Sequence, residues 1–115
     1  MGYRLYCRNS GDRQSEICFG KLVGYTNDIE LKSLQYLLKI RKISKEDYES
    51  PMHWHDPRSI TLTETEFLKF MHYYIYDWIY AYDDYPLSSI HDPVGNLVLT
   101  DLIDTPCNKI IEWKH

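Results

Sequence analysis

The sequence predicts an α+β fold: a small antiparallel sheet from an N-terminal hairpin and C-terminal strands, with two main helices, at about 28–40 and 64–82, packed on one face. Three observations carry that prediction. Apolar and polar residues alternate near both ends of the chain, the period of a strand with one buried face. Between those ends, leucines and then aromatics recur at three- and four-residue spacing, the period of an amphipathic helix. Each helical run is preceded by residues that cap a helix start, Asn27 with Glu30 and Thr63 with Glu66. Strands at both ends with helices between them place the helices together against the sheet. A length of 115 residues suits one domain, 1–115, around one core.

In the first strand Tyr3, Leu5 and Cys7 share a face, and Arg4, Tyr6 and Arg8 take the other. Asn9-Ser10-Gly11-Asp12 reads as a turn, because Gly and Asn accept the positive φ of a tight reversal. A second strand is expected from Ile17 to Val23, with a bulge at Gly20, completing a hairpin. The first helix opens at Asn27, whose side chain and that of Glu30 satisfy amides reciprocally, while Asp28 adds charge that the helix dipole favours. Leu31, Leu34, Leu37 and Leu38 make its apolar stripe, and Lys39, Arg41 and Lys42 complement its C-terminal end. Residues 41–60 are irregular: a helical turn over 43–48 capped by Ser44, then Pro51 and Pro57, which exclude a regular helix between them. Ile60-Thr61-Leu62 is either a brief strand or the approach to the next helix.

The second helix has the capping box Thr63/Glu66, with Leu62 and Phe67 at the positions of a hydrophobic staple. Phe67, Met71, Tyr74, Ile75, Trp78 and Tyr82 form a wide apolar stripe flanked by Leu68, Phe70 and Ile79. Lys69, Tyr73, Tyr76, Asp77, Tyr80 and Asp84 fall on the other side. From Tyr74 to Tyr82 the aromatics also alternate at period two, as in a strand, but the length and the start signal favour helix. Residues 83–89 end it. A turn at 91–96, a strand at 97–100, a turn at 104–106 and a last strand at 108–114 follow, with Ile111 and Trp113 on one face and Ile110 and Glu112 on the other. The first and last strands are expected to be neighbours. Asp92-Pro93-Val94-Gly95-Asn96 resembles the turn before the last strand of glyoxalase-like domains. It is a turn signature of five residues, and the element order does not follow that family's βαβββ modules, so it implies no activity.

Composition narrows the function. With 43% hydrophobic and 26% charged residues, the chain is globular rather than disordered. Cys7, Cys18 and Cys107 are odd in number and form no CxxC, which reads as reduced, buried thiols in a cytoplasmic protein. No apolar leader or membrane-length apolar run is present. Net charge is −4, which argues against direct nucleic-acid binding. It is uneven: residues 1–50 carry nine Lys/Arg against seven Asp/Glu, and residues 51–115 four against ten. Gly-x-Ser-x-Gly, a Cys beside a His and a Gly-rich phosphate loop are all missing from the sequence.

Two constellations stand out. The back and exit of the second helix carry Tyr73, Tyr76, Asp77, Tyr80, Asp83, Asp84 and Tyr85. Tyrosine gives large contact area with few torsions to freeze, and interleaved carboxylates steer a basic partner. This predicts a non-enzymatic protein-binding module without a cofactor, a stoichiometric inhibitor of the immunity or anti-defence kind, occluding a basic site on a protein partner. The alternative uses His53, His55 and His91 with Asp56 and Asp92. A His-x-His pair on a strand puts both imidazoles on one face, and a third His or a carboxylate completes a site for Zn, Fe or Mn in a small metal-dependent enzyme. A third reading is a homo-oligomeric structural protein joined through the aromatic helix.

Overall fold

The computed structural model describes residues 4–20, 30–49, 57–82, 102 and 104–114. Strands β1 (Arg4–Asn9), β2 (Ile17–Gly20), β3 (Arg58–Leu62) and β4 (Lys109–Lys114) form one antiparallel sheet in the order β2-β1-β4-β3. Period-two chemistry sets its register. Leu5 lies opposite Trp113 and Cys7 opposite Ile111, and all four are buried. Ile60, also buried, pairs with Ile111 from the other side. A one-residue slip would turn this whole set to the opposite face, so the alternation specifies the β1–β4 pairing. The first and last strands are neighbours, as expected.

Gly11, at φ +80°, makes the reversal after β1, and Asp12 caps the short 3-10 turn Arg13–Ser15 by accepting from the Gln14 amide at 2.9 Å. On the return strand Leu5 pairs with Gly20 and Tyr6 with Cys18, which leaves Phe19 as the extra residue of a bulge. The bulge adjoins Gly20 and turns Phe19 into the core, edge-on to Tyr74 at 6.4 Å between ring centroids. Residues 60–62 are strand, part of β3, so a strand lies between the helices. The strand expected at 97–100 lies outside the described residues.

Helices α1 (Lys32–Lys39), α2 (Lys45–Glu49) and α3 (Glu64–Tyr82) complete the fold. The α3 start follows its capping box: the Thr63 amide donates to Glu66 Oε1 at 2.9 Å, and the Glu66 amide donates to Thr63 Oγ1 at 3.2 Å. Leu62 and Phe67, the staple residues, are both buried. The helix runs on to Tyr82, so the period-two aromatics do not form a strand. Among its described side chains, 64–77, the buried set is Phe67, Phe70, Met71, Tyr74 and Asp77, with Ile75 half-buried and Leu68 exposed; the side chains of Trp78, Ile79 and Tyr82 lie outside the described residues. The covered face is therefore rotated by roughly half a residue step from the expected stripe. The cause is α1, which lies along the side of α3 that carries Tyr73 and Asp77. Phe70 anchors α3 to the sheet, edge-on to Trp113 at 5.9 Å and stacked on Tyr74 at 5.8 Å.

Helix α1 is shorter than the expected 28–40. Glu30 is not helical, and Leu31 sits at the N-cap in extended conformation with no side-chain cap. Asn27 and Asp28 lie outside the described residues. The stripe is as expected, with Leu31, Leu34 and Leu37 buried and Leu38 half-buried. The helix ends in a Schellman arrangement: the Lys42 amide donates to the Leu37 carbonyl at 2.8 Å and the Arg41 amide to that of Leu38 at 3.0 Å, with Arg41 at φ +61°. Helix α2 is capped by Ser44, whose Oγ accepts from the Asp47 amide at 3.0 Å, and Asp47 pairs with Arg58 at 3.1 Å, tying α2 to β3.

Candidate functional site

Among the described residues, helices α1 and α3 share a solvent-open groove of about 510 Å³. From α1 it takes Lys32, Gln35, Tyr36 and Lys39. These recur at i, i+3, i+4 and i+7, so they form one face of the helix, opposite the buried leucines. From α3 it takes Leu68, Lys69, His72 and Tyr73. The Tyr36 and Tyr73 rings meet in the groove at 5.6 Å and tilted by 39°, and His72 stands edge-on to Tyr73 at 5.6 Å. Lys32 Nζ lies 4.1 Å above the Tyr76 ring, a cation–π contact worth about 0.5–1 kcal/mol at an exposed site. Gln35 Nε2 donates to the Tyr48 hydroxyl at 3.1 Å, which fixes the α2 end of the groove.

The electrostatics of this face oppose those of the whole chain. Among the described residues, ion pairs engage Arg8, Lys45, Arg58 and Lys114, and none engages Lys32, Lys39 or Lys69. The groove is thus cationic in a chain of net charge −4. Burial pushes the Tyr36 hydroxyl pKa up, with Glu66 and Tyr73 adding to the shift, so that ring stays neutral. Leu68 and Tyr76 are the large apolar side chains left exposed among the described residues, at 49% and 48%. With His72 they form a ridge at four-residue spacing along α3.

Of the expected partner-binding residues, Tyr73 lines this groove and Tyr76 is exposed beside it. Asp77 is a correction. It is 2% exposed, because it points under α1 and accepts hydrogen bonds from Lys32 N, Ser33 N and Ser33 Oγ. It therefore adds no charge to the surface. The side chain of Tyr80, and Asp83, Asp84 and Tyr85 entirely, lie outside the described residues. So do His53, His55, Asp56, His91 and Asp92, and among the described residues no group of three or more His, Cys, Asp or Glu is placed to hold a metal ion. Burial, with Cys18 and Glu16 adding to it, holds the Cys7 thiol well above its ordinary pKa, which makes it a core residue and no nucleophile. Cys18 and Cys107 are half-buried and free. No helix of the described residues is long and apolar enough to cross a membrane.

Sequence reasoning missed the cationic half of the site: Lys32, Gln35, Tyr36, Lys39 and Lys69. Its signal was present in the spacing of the four α1 residues opposite the leucine stripe. A second concavity, about 530 Å³, borders Arg8, Asp12, Arg13 and Ile110 on the other face of the sheet. Two of its charges are engaged internally, Arg8 with Glu112 at 3.3 Å and Asp12 with the Gln14 amide, while Arg13 is exposed. Lys109 is 1% exposed and donates to Asn9 Oδ1 and the Thr105 carbonyl, each at 2.6 Å, a clamp on the start of β4. Comparison with protein-family models, with curated proteins and with solved structures returns no match.

Proposed function

We propose that the chain is a protein-binding module that acts by stoichiometric contact, does no chemistry of its own, and meets its partner with the outer face of α1 and α3. The observation that supports this most is the ridge Leu68–His72–Tyr76, whose two apolar members are about half exposed while Phe67, Phe70 and Tyr74 of the same helix are buried. Exposed apolar side chains clustered on one face, rimmed by polar residues, are what an interface covers. In such a module function is occlusion, so an inhibitor of the immunity or anti-defence kind is the matching role.

The test places a photo-cross-linking amino acid at position 76, at position 73, and at position 61 on the exposed side of β3. Cells that naturally make the protein supply the partner. The expected result is one protein, cross-linked from 73 and 76 and not from 61, that forms a one-to-one complex with the purified chain by light scattering. Cross-links of equal yield from position 61, or none from 73 and 76, overturn the assignment of this face.

A further inference from the structure

The geometry points to an acidic, amphipathic helical segment of the partner as the occupant of the α1/α3 groove. This rests on the protein-binding reading above and gives the partner its chemistry. Lys32 and Lys39 are seven residues apart on α1, two helical turns, so their backbone positions are separated by about 10 Å along the axis. Lys69 faces the same groove from α3. Among the described residues none of the three is in an ion pair with a carboxylate. Lys39 and Lys69 are exposed, and Lys32, which rests on the Tyr76 ring, is exposed at the rim of the groove.

The spacing decides between anions. A small anion would gather all three ammonium groups at one point, against their mutual repulsion and the rotamer freedom of three long side chains. A helix with carboxylates two turns apart meets Lys32 and Lys39 at their own spacing and leaves Lys69 for a third. Between the lysines the groove offers Tyr36, Tyr73 and Leu68, apolar surface for leucine or isoleucine at the intervening positions. Apolar anchors at i, i+3, i+4 and i+7, flanked by charge, are how a helix lies in a groove between two others. The partner segment is thus acidic at its flanks, opposite in sign to the basic site expected from the sequence, because Asp77 is buried and the lysines are not.

The probe is a synthetic amphipathic peptide of about four turns, with leucines on one face and glutamates at its flanks. A second peptide carries lysine in place of every glutamate, and sodium tripolyphosphate serves as a small polyanion. Binding to the full chain is read by fluorescence anisotropy and by amide chemical shifts. The acidic peptide is expected to bind with shifts centred on residues 32–39 and 68–76, and at least about tenfold more tightly than the lysine peptide. Its affinity should fall severalfold between about 0.05 and 0.3 M NaCl. The double variant Lys39→Glu/Lys69→Glu should invert the preference, and Lys39→Gln/Lys69→Gln should weaken the acidic peptide without gaining the other. Both positions are exposed, and circular dichroism checks that the fold is kept.

Equal binding of the two peptides overturns the proposal. Tighter binding of tripolyphosphate than of the acidic peptide overturns it in favour of a small-anion site, and self-association through this face with no peptide binding overturns it in favour of a second copy. A cross-linked partner whose contacting segment is basic or neutral removes this inference and leaves the protein-binding reading standing, whereas absence of any cross-link removes both.

Discussion

Asp77 and Ser33 are joined twice across the helix pair: Asp77 Oδ2 accepts the Ser33 amide at 2.8 Å and the Ser33 hydroxyl at 2.6 Å. Oδ1 of the same carboxylate takes the Lys32 amide at 2.8 Å. Helix α1 has no side-chain cap from its own N-cap residue, Leu31, so a residue of α3 supplies it. The contact sets where α1 begins and aligns it with α3, and so it sets the width of the groove.

Replacing Asp77 with alanine should therefore cost about 2–3 kcal/mol, since it leaves buried amides without acceptors as well as removing the cap. Urea unfolding measures the loss. Hydrogen exchange should quicken at Lys32 and Ser33 first. Ser33→Ala removes one of the three bonds and should cost about 1 kcal/mol.

Burial raises the Asp77 carboxyl above its ordinary value of 3.8, outweighing the Ser33 and Lys32 donors and the Lys32 charge that pull it down. The folded state therefore binds this proton more tightly than the unfolded chain does. The stabilisation from that proton is full below the unfolded value and is lost as pH rises through the raised one. Against an Asp77→Asn variant, which cannot titrate there, the native chain should lose relative stability as pH rises from about 4 toward neutrality. Paired urea titrations across that range measure it. A relative gain with rising pH would contradict the desolvation argument.

Arg41 holds φ +61°, a conformation in which a Cβ is strained and glycine is not. Arg41→Gly should stabilise the chain by about 0.5 kcal/mol, the relief of strain being partly offset by loss of a cation at the helix C-terminus. The midpoint of thermal unfolding should rise by a few degrees.

Phe70 and Leu68 are two residues apart on α3 and should behave oppositely. Phe70 is fully buried against Trp113 and Tyr74, and Phe70→Ala should cost about 3–5 kcal/mol. Leu68 is 49% exposed, and Leu68→Ala should change stability by no more than about 0.5 kcal/mol. It should nonetheless lower cross-linking yield from position 76. Chemical denaturation and the cross-linking assay, run on the same preparations, separate the two effects.

What the sequence disclosed was local. The Thr63/Glu66 box, the Ser44 cap and the alternation of Leu5, Cys7, Ile111 and Trp113 each depend on residues within a few positions, and each is found in place. The cap of α1 comes from 44 positions downstream of Ser33, and no local pattern announces it. That distant cap also rotated the buried face of α3, because one polar residue on its flank was claimed by a neighbouring helix. Lys109 is intermediate. Period two from Ile111 and Trp113 points it inward, but its chemistry argues outward, and only Asn9 and the Thr105 carbonyl reconcile the two. Two lysines of the groove, Lys32 and Lys39, were legible as spacing on α1. Their meaning required knowing that Asp77 was absent from the surface beside them.

The sheet order has a consequence for biosynthesis. Its two central strands, β1 and β4, pair residue for residue from Arg4 with Lys114 to Asn9 with Lys109, a hundred or more positions apart in the chain. Among the described strands, while the nascent polypeptide is still emerging, β1 has β2 beside it and β3 still lacks its partner β4. Closure so distant makes assembly late and slow, and leaves strand edges open until β4 has left the ribosome tunnel. A chain truncated ahead of Lys109 would be unable to complete the sheet, a ready substrate for chaperones or proteolysis.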